Sequence, residues 1–171
     1  MKTTEQKELP GETENYPWLF FGSGTHRNCL SYMSIFLNRK IIPTQCRYFC
    51  WKVVISTDSL SELFNLKELL SKRRELSKCG IDRREYTKDQ YVGFIYCDNL
   101  DEARKINNRF EQSRISRGCT EMRLLMDPDE WGGAPLVEID IKKGFSVFQS
   151  FNMRKQVINN WLKWEGEKNE I

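Results

Sequence analysis

A strand and the helix that follows it can be read from residues 90–105, QYVGFIYCDNLDEARK, and this stretch decides the fold. Residues 90–97 are rich in aromatic and β-branched side chains, which favour a strand. Asn99-Leu100-Asp101-Glu102 then forms a capping box, in which the two outer side chains satisfy backbone N–H groups at the start of a helix. The helix continues with apolar residues on one side, namely Leu100, Ala103, Ile106 and Phe110.

The same strand-and-helix pattern lies upstream. Residues 48–56, YFCWKVVIS, predict a strand, and the capping box at residues 59–62 predicts a helix that begins at Ser59 and ends at Cys79-Gly80. Residues 81–86 and 90–97 predict a hairpin across Thr87-Lys88-Asp89, and residues 120–126 predict a last strand. The resulting order is that of the split βαβ fold. We therefore expect an α+β protein with a ferredoxin-like βαββαβ core.

Segments on either side extend this core, which we place at about residues 48–127. Residues 1–16 are polar and acid-rich and predict a disordered tail, whereas residues 17–171 predict a single α+β domain. An apolar helix is expected at residues 29–37. In the C-terminal extension, residues 128–171, we expect a half-buried strand at residues 136–141 and an amphipathic helix at residues 153–164.

The composition describes a globular chain without a strong overall charge. Its 171 residues are 39% hydrophobic and 30% charged, and 27 basic against 24 acidic residues leave a net charge of +3. These values exclude a disordered chain and a membrane protein, and they predict no global cationic field. The first residues lack the apolar core of a signal peptide, so we expect an intracellular protein, cytoplasmic or nuclear, with reduced cysteines. A single histidine favours a non-enzyme.

Residues 90–105 resemble the third strand and second helix of an RNA-recognition motif. The resemblance covers the Gly93-Phe94 strand and the acidic pair and alanine that open the helix. In that family, aromatic side chains on this strand stack on bases, so the resemblance implies RNA binding with Phe94 at one stacking position. Val92 occupies the other. Both faces of this strand are apolar, however, which predicts a strand covered on both sides and no open platform.

The best nucleic-acid signal is the basic stretch at residues 67–88, with eight basic and four acidic residues. If its charges share one rim of the core, they can contact phosphates of RNA or DNA. Alternatively, they form a solvated helix face with local ion pairs. The predicted nucleic-acid-binding residues, including two aromatic side chains of the third strand for stacking, are Lys72, Arg73, Arg74, Lys78, Arg83, Arg84, Lys88, Phe94 and Tyr96.

Two groups of residues raise the question of a metal. His26, Cys29, Cys46 and Cys50 have spacings near those of structural zinc sites, although small buried thiols explain the cysteines equally well. The zinc site is therefore an alternative to a chain without a cofactor. A set of carboxylates permits a magnesium site, although capping, turns and a solvated strand face also account for it: Asp58, Asp127, Asp129, Glu130, Glu138 and Asp140.

Three functions follow from these patterns. The first is a non-catalytic nucleic-acid-binding protein that uses the basic rim. The second is an adaptor or inhibitor that docks on a protein partner through exposed aromatic residues. The third is a metal-dependent nuclease that uses the carboxylates. Candidate anchors for the second function are Trp18, Trp131, Trp161 and Trp164.

Overall fold

The computed structural model describes residues 15–23, 29–85, 87–118, 135–139 and 149–169. Helices are interspersed with the strands of a mainly antiparallel sheet, which confirms the α+β class. The elements are β1 (Trp18–Phe21), α1 (Cys29–Arg39), β2 (Ile42–Pro43), α2 (Thr44–Tyr48), β3 (Trp51–Thr57), α3 (Leu60–Ser71), β4 (Ser77–Ile81), β5 (Tyr91–Cys97), α4 (Leu100–Asn107), β6 (Ser113–Arg117), β7 (Leu136–Val137) and α5 (Phe151–Asn169). No described helix is long and apolar enough to cross a membrane.

Five strands form an antiparallel sheet in the order β1-β4-β5-β3-β6, and β2 pairs with β7 in a separate parallel ladder. By their mutual contacts, the described residues fall into two units. The first unit draws on Met1–Thr25, Ile55–Phe94 and Phe145–Ile171, and the second on His26–Val54 and Ile95–Gly144. The predicted single domain at residues 17–171 stays a prediction.

The helices α3 and α4 begin where the capping boxes predict. The Ser59 hydroxyl accepts from the Glu62 N–H at 3.2 Å, and the Asn99 carboxamide oxygen accepts from the Glu102 N–H at 2.8 Å. Each glutamate in turn accepts from the N–H of the residue before the cap, at 2.8 Å and 2.9 Å. Both helix starts are therefore confirmed, and at each one the capping side chain and the glutamate side chain both bind backbone N–H groups.

The predicted end of α3 at Cys79-Gly80 is wrong, because the helix ends at Ser71 and both residues belong to β4. Gly80 lies opposite Trp18 of the neighbouring strand β1. A Cβ atom at Gly80 would lie 2.1 Å from the Pro17 carbonyl oxygen. The glycine thus allows two strands to approach closely rather than ending a helix.

In the first unit, α3 and α5 bury their apolar sides. Leu66 and Leu70 of α3 lie over Gly93 of β5, where an added Cβ would be 2.7 Å from the Leu66 Cδ2 atom. Trp161 of α5 is fully buried and meets the Phe64 ring edge-to-face at 5.8 Å. Its indole N–H donates to the Pro17 carbonyl at 2.8 Å, so the polar end of the ring is satisfied as well.

Gln149 closes the edge of β1 that faces away from β4. Its Oε1 accepts from the Phe20 N–H and its Nε2 donates to the Trp18 carbonyl, both at 2.8 Å. The Arg154 guanidinium donates to the Phe20 carbonyl at 2.7 Å. One carboxamide thereby makes the two hydrogen bonds that a residue of a neighbouring parallel strand would make.

The second unit contains α1, α2 and the short β2–β7 ladder. Ile42 lies opposite Leu136 and donates its N–H to the Pro135 carbonyl at 3.2 Å. The Gln45 side chain donates to the Ile139 carbonyl at 3.0 Å. The buried side chains of the two helices include Tyr32, Phe36 and Cys46.

Several predicted strands shift in the structure. The strand expected at residues 81–86 is β4, Ser77–Ile81, because β4 begins soon after α3 ends; the one expected at 48–56 begins at Trp51, because α2 occupies Thr44–Tyr48. The hairpin between β4 and β5 is present with a longer loop, closed by the Asp82 N–H and the Gln90 carbonyl at 2.6 Å.

Downstream, the last strand of the large sheet is β6, whereas the strand expected at 120–126 lies outside the described residues. Of the strand expected at 136–141, Leu136–Val137 is a strand whose side chains are both exposed rather than alternating, residues 138–139 are not a strand, and residues 140–141 lie outside the described residues. Most of the predicted disordered tail, all but its last two residues, also lies outside the described residues.

Candidate nucleic-acid interface

Strand β4 divides the predicted basic rim. Lys72, Arg73 and Arg74 precede the strand, and Arg83, Arg84 and Lys88 follow it. A strand advances about 3.3 Å per residue, so the five residues of β4 alone separate the two groups by roughly 13 Å. The basic residues therefore lie at opposite ends of a strand.

Ion pairs engage part of this charge. Arg73 contacts Glu75 at 2.5 Å, and Arg84 binds the buried Asp82 through two bonds of 2.8 Å and 2.5 Å. The bidentate pair fixes the Arg84 guanidinium against its own strand end. Lys72, Arg74 and Lys88 are exposed.

Lys78 points its ammonium group at three aromatic rings. Its Nζ lies 4.2 Å from the centroid of Trp18, 5.3 Å from that of Phe94 and 5.8 Å from that of Phe20. The register of β1 against β4 explains two of these contacts. Phe20 lies directly opposite Lys78, and Trp18, two residues earlier in β1, points to the same face of the sheet. Such cation–π contacts hold the charge inside the molecule's own sheet face.

The two predicted stacking residues lie in β5. Phe94 is 5% exposed and Tyr96 is half-buried, and Phe94 packs against Trp18 with 5.5 Å between the ring centroids. Because six of the seven residues of β5 are buried, the prediction of a strand covered on both sides is confirmed. A ring this deeply buried has no open face for a base.

The tryptophans proposed as protein anchors are mostly internal. Trp161 and Trp164 are buried, and Arg83 lies over the Trp164 ring at 4.7 Å. Trp18 is half-buried under Lys78, and Trp131 lies outside the described residues. None of the three described candidates, Trp18, Trp161 and Trp164, is therefore an exposed anchor for a protein partner.

The potential metal ligands remain scattered or undescribed. Cys46 and Cys50 are buried, whereas His26 lies outside the described residues and Cys29 begins α1. Within the described ranges, no group of three or more histidine, cysteine or acidic residues is placed to hold a metal ion. The zinc site stays a prediction.

The carboxylates of the nuclease hypothesis are similarly incomplete. Asp58 and Glu138 are exposed, and the Asp58 N–H donates to the capping residue Glu62. Asp127, Asp129, Glu130 and Asp140 lie outside the described residues. The nuclease hypothesis also stays a prediction.

A different group of exposed and half-buried aromatic and basic residues lies in the second unit, where α2 leads into β3. We call it the arginine–aromatic patch, and it consists of Arg47, Tyr48, Phe49, Trp51 and Arg117. The Tyr48 side chain is 50% exposed and that of Phe49 is 52% exposed. Their ring centroids lie 6.5 Å apart with 68° between the planes, and the Arg47 guanidinium lies 6.0 Å from the Tyr48 ring.

Arg117 of β6 holds this patch together. Its guanidinium lies 4.8 Å from the Trp51 ring and donates to the Arg47 carbonyl at 2.5 Å. The Trp51 indole N–H donates to the Tyr48 carbonyl at 3.1 Å. The backbone that carries the two exposed rings is thus held by hydrogen bonds at two carbonyl groups.

The charge of the sequence around the patch is one-sided. Residues 15–57 contain no aspartate or glutamate, and their basic residues are Arg27, Arg39, Lys40, Arg47 and Lys52. This segment without aspartate or glutamate is longer than the basic stretch at residues 67–88. Its lack of acidic residues is the sequence feature from which a basic surface near Arg47 could have been predicted. An excess of basic residues is easier to notice than an absence of acidic ones.

No protein-family model matches the chain, and neither a curated protein nor a solved structure matches it.

Proposed function

We propose that this protein binds nucleic acid without catalysing a reaction, and that the arginine–aromatic patch is its contact surface. One observation carries the proposal: two half-exposed aromatic rings, one of them beside the Arg47 guanidinium, lie in a chain segment that lacks carboxylates. Cations attract phosphates, and aromatic faces attract bases. The patch offers both within one short loop and the strand beside it.

The arginines of the patch can act on phosphates while they keep their internal contacts. A guanidinium is permanently charged and stays charged when it donates to a neutral carbonyl, as Arg117 does to Arg47. In the basic rim, carboxylates neutralise Arg73 and Arg84.

We also infer that the large sheet is ferredoxin-like. The support is the chain order β3-α3-β4-β5-α4-β6 together with the neighbour order β4-β5-β3-β6, with β1 as an additional edge strand. The resemblance of residues 90–105 to an RNA-recognition motif points the same way. In this proposal, β5 does not bind bases as the corresponding strand of an RNA-recognition motif does. The binding surface is instead the connection between α2 and β3.

The test compares two variants that each remove one positive charge. Arg47→Gln removes a half-exposed charge from the patch, and Arg74→Gln removes an exposed charge from the rim. Binding of labelled RNA and DNA is followed by fluorescence anisotropy over a range of salt concentrations. Each lost phosphate contact lowers the slope of log K against log salt by about 0.7 for a single strand, or about 5-fold in affinity near 0.1 M salt.

We expect the Arg47→Gln variant to bind about 5-fold more weakly with a shallower slope and the Arg74→Gln variant to bind like the unmodified protein. The reverse pattern would return the binding site to the rim. Absence of binding to RNA and DNA at low salt would overturn the proposed function.

A protein partner is the second candidate, because Tyr48 and Phe49 are also suited to anchoring a protein interface. It predicts a complex whose affinity depends little on salt and falls when either ring is removed. The salt titration therefore separates the two candidates.

A further inference from the structure

We infer that the ligand of the arginine–aromatic patch is an unpaired strand of nucleic acid, and that two of its bases stack on Tyr48 and Phe49. This inference rests on the proposed function and narrows it. It assigns the two rings the role of stacking on bases, which binding through charge alone would not need. An electrostatic surface would bind duplex and single strand alike, whereas a stacking surface needs bases whose faces are open.

The arrangement of the two rings leaves faces open for stacking. At 68° between the planes, one ring presents its edge to the other, so the contact between the rings covers one of their four faces, and half of each side chain is exposed. The Arg47 guanidinium lies over the Tyr48 ring at 6.0 Å and brings a positive charge to the same place. A base on Phe49 and a phosphate near Arg47 can therefore belong to the same nucleotide chain.

The same arrangement is incompatible with stacked, paired bases. Neighbouring bases in a duplex strand lie parallel and about 3.4 Å apart along the axis. The two rings lie 6.5 Å apart and are turned by 68°, so bases that follow both rings must separate and rotate relative to each other. Only an unpaired segment, whether a single strand, a loop or an end, adopts that shape without breaking base pairs.

The support beneath the rings adds to the affinity of such a site. The Trp51 indole and the Arg117 guanidinium bind the carbonyl groups of Tyr48 and Arg47. Binding a flexible loop costs conformational freedom, and a loop that is already held loses less. Aromatic rings on a fixed backbone are the arrangement that a stacking platform uses.

The experiment separates stacking from charge by changing the ligand. Anisotropy measurements compare single-stranded oligothymidylate, oligouridylate of the same length, a duplex of that length, and an abasic strand that keeps the phosphates and lacks the bases. We expect the unmodified protein to bind both single strands more tightly than the duplex. The abasic strand, which lacks both stacked bases, should bind more weakly by at least the effect of losing one stacked base, about 5- to 150-fold.

Ring variants complete the test without changing the charge. Phe49→Leu and Tyr48→Leu should each weaken binding of oligothymidylate by the factor expected for one stacked base and leave binding of the abasic strand unchanged. Phe49→Trp, which keeps an aromatic ring, should retain binding of oligothymidylate. Phe151→Leu is the matched control, since Phe151 is an exposed ring of α5 in the first unit. Equal binding of the duplex, the abasic strand and oligothymidylate would overturn the inference and leave the proposed function standing. Absence of all binding would overturn both.

Discussion

The Cys79 thiol provides a quantitative test of the packing between β4 and the helices of the first unit. Cys79 is fully buried in β4. Burial raises the pKa of this thiol from its ordinary value of 9.0 to about 12, although the charges of Lys67 and Arg154 act in the opposite direction. The thiol therefore ionises readily in the unfolded chain above pH 9 but resists ionisation in the folded protein.

The sign of the effect follows from this difference. Because the folded pKa is the higher one, the contribution to the free energy of unfolding is complete below pH 9 and is lost as the pH rises through 12. One pKa unit corresponds to about 1.4 kcal/mol, so three units amount to about 4 kcal/mol in total. At pH 10 the loss is about 1.4 kcal/mol, within reach of a urea titration.

The assay compares urea unfolding of the unmodified protein and of Cys79→Ala at about pH 7.5 and about pH 10, under reducing conditions. Other titrating groups cancel in the difference between the two proteins. We expect the stability advantage of the unmodified protein to shrink by about 1.4 kcal/mol between these pH values. Cys79→Ser is the control, and its stability should follow the alanine variant in pH dependence. An advantage that stays constant with pH would refute the burial argument.

Two further substitutions test the elements that carry the fold. Gly93→Ala places a methyl group 2.7 Å from the Leu66 Cδ2 atom, and we expect it to lower the free energy of unfolding by about 1–3 kcal/mol in a urea titration. An unchanged midpoint would mean that α3 does not lie this close to β5. Ser59→Ala removes the N-cap of α3 and should cost about 1 kcal/mol, whereas Ser61→Ala, at an exposed position inside the helix, should change stability by less than about 0.5 kcal/mol. Equal effects of the two serine substitutions would contradict the capping role.

Local signals in the sequence predicted the helix starts because the whole interaction lies within four residues. The Ser59 hydroxyl accepts from the Glu62 N–H and the Glu62 carboxylate accepts from the Asp58 N–H, and Asn99 and Glu102 make the equivalent bonds at the start of α4. The apolar character of both faces of β5 likewise predicted its burial. These features depend on neighbours along the chain, which a sequence displays directly.

Long-range pairing accounts for the errors. A glycine after a helical pattern is typical of a helix end, which is why Gly80 was predicted to end α3. In the structure Gly80 instead allows close contact with Pro17 and Trp18, about sixty residues earlier in the chain. A local pattern contains no information about that partner. The basic rim failed as a single surface for a related reason, because β4 begins between its two halves.

The candidate site was hidden by a change of secondary structure within one aromatic run. Residues 48–56 predict a continuous strand, which would bury alternate rings of the run. Instead α2 ends at Tyr48 and the strand begins at Trp51, so Tyr48 and Phe49 occupy the connection and remain exposed. Pro43, which precedes the first turn of α2, is the local signal for that short helix.

The closure of β1 by Gln149 also has a consequence for the timing of synthesis. The bond from Phe20 to Gln149 spans 129 residues, so the ribosome makes the strand long before it makes the side chain that covers it. At translation rates of about 5–20 residues per second, roughly 6–26 s pass between the two. For that interval, the nascent chain carries strand-forming residues with no carboxamide to occupy their outer backbone groups. A ribosome that stalls before residue 149 would release a product with that strand still open to pairing with other chains.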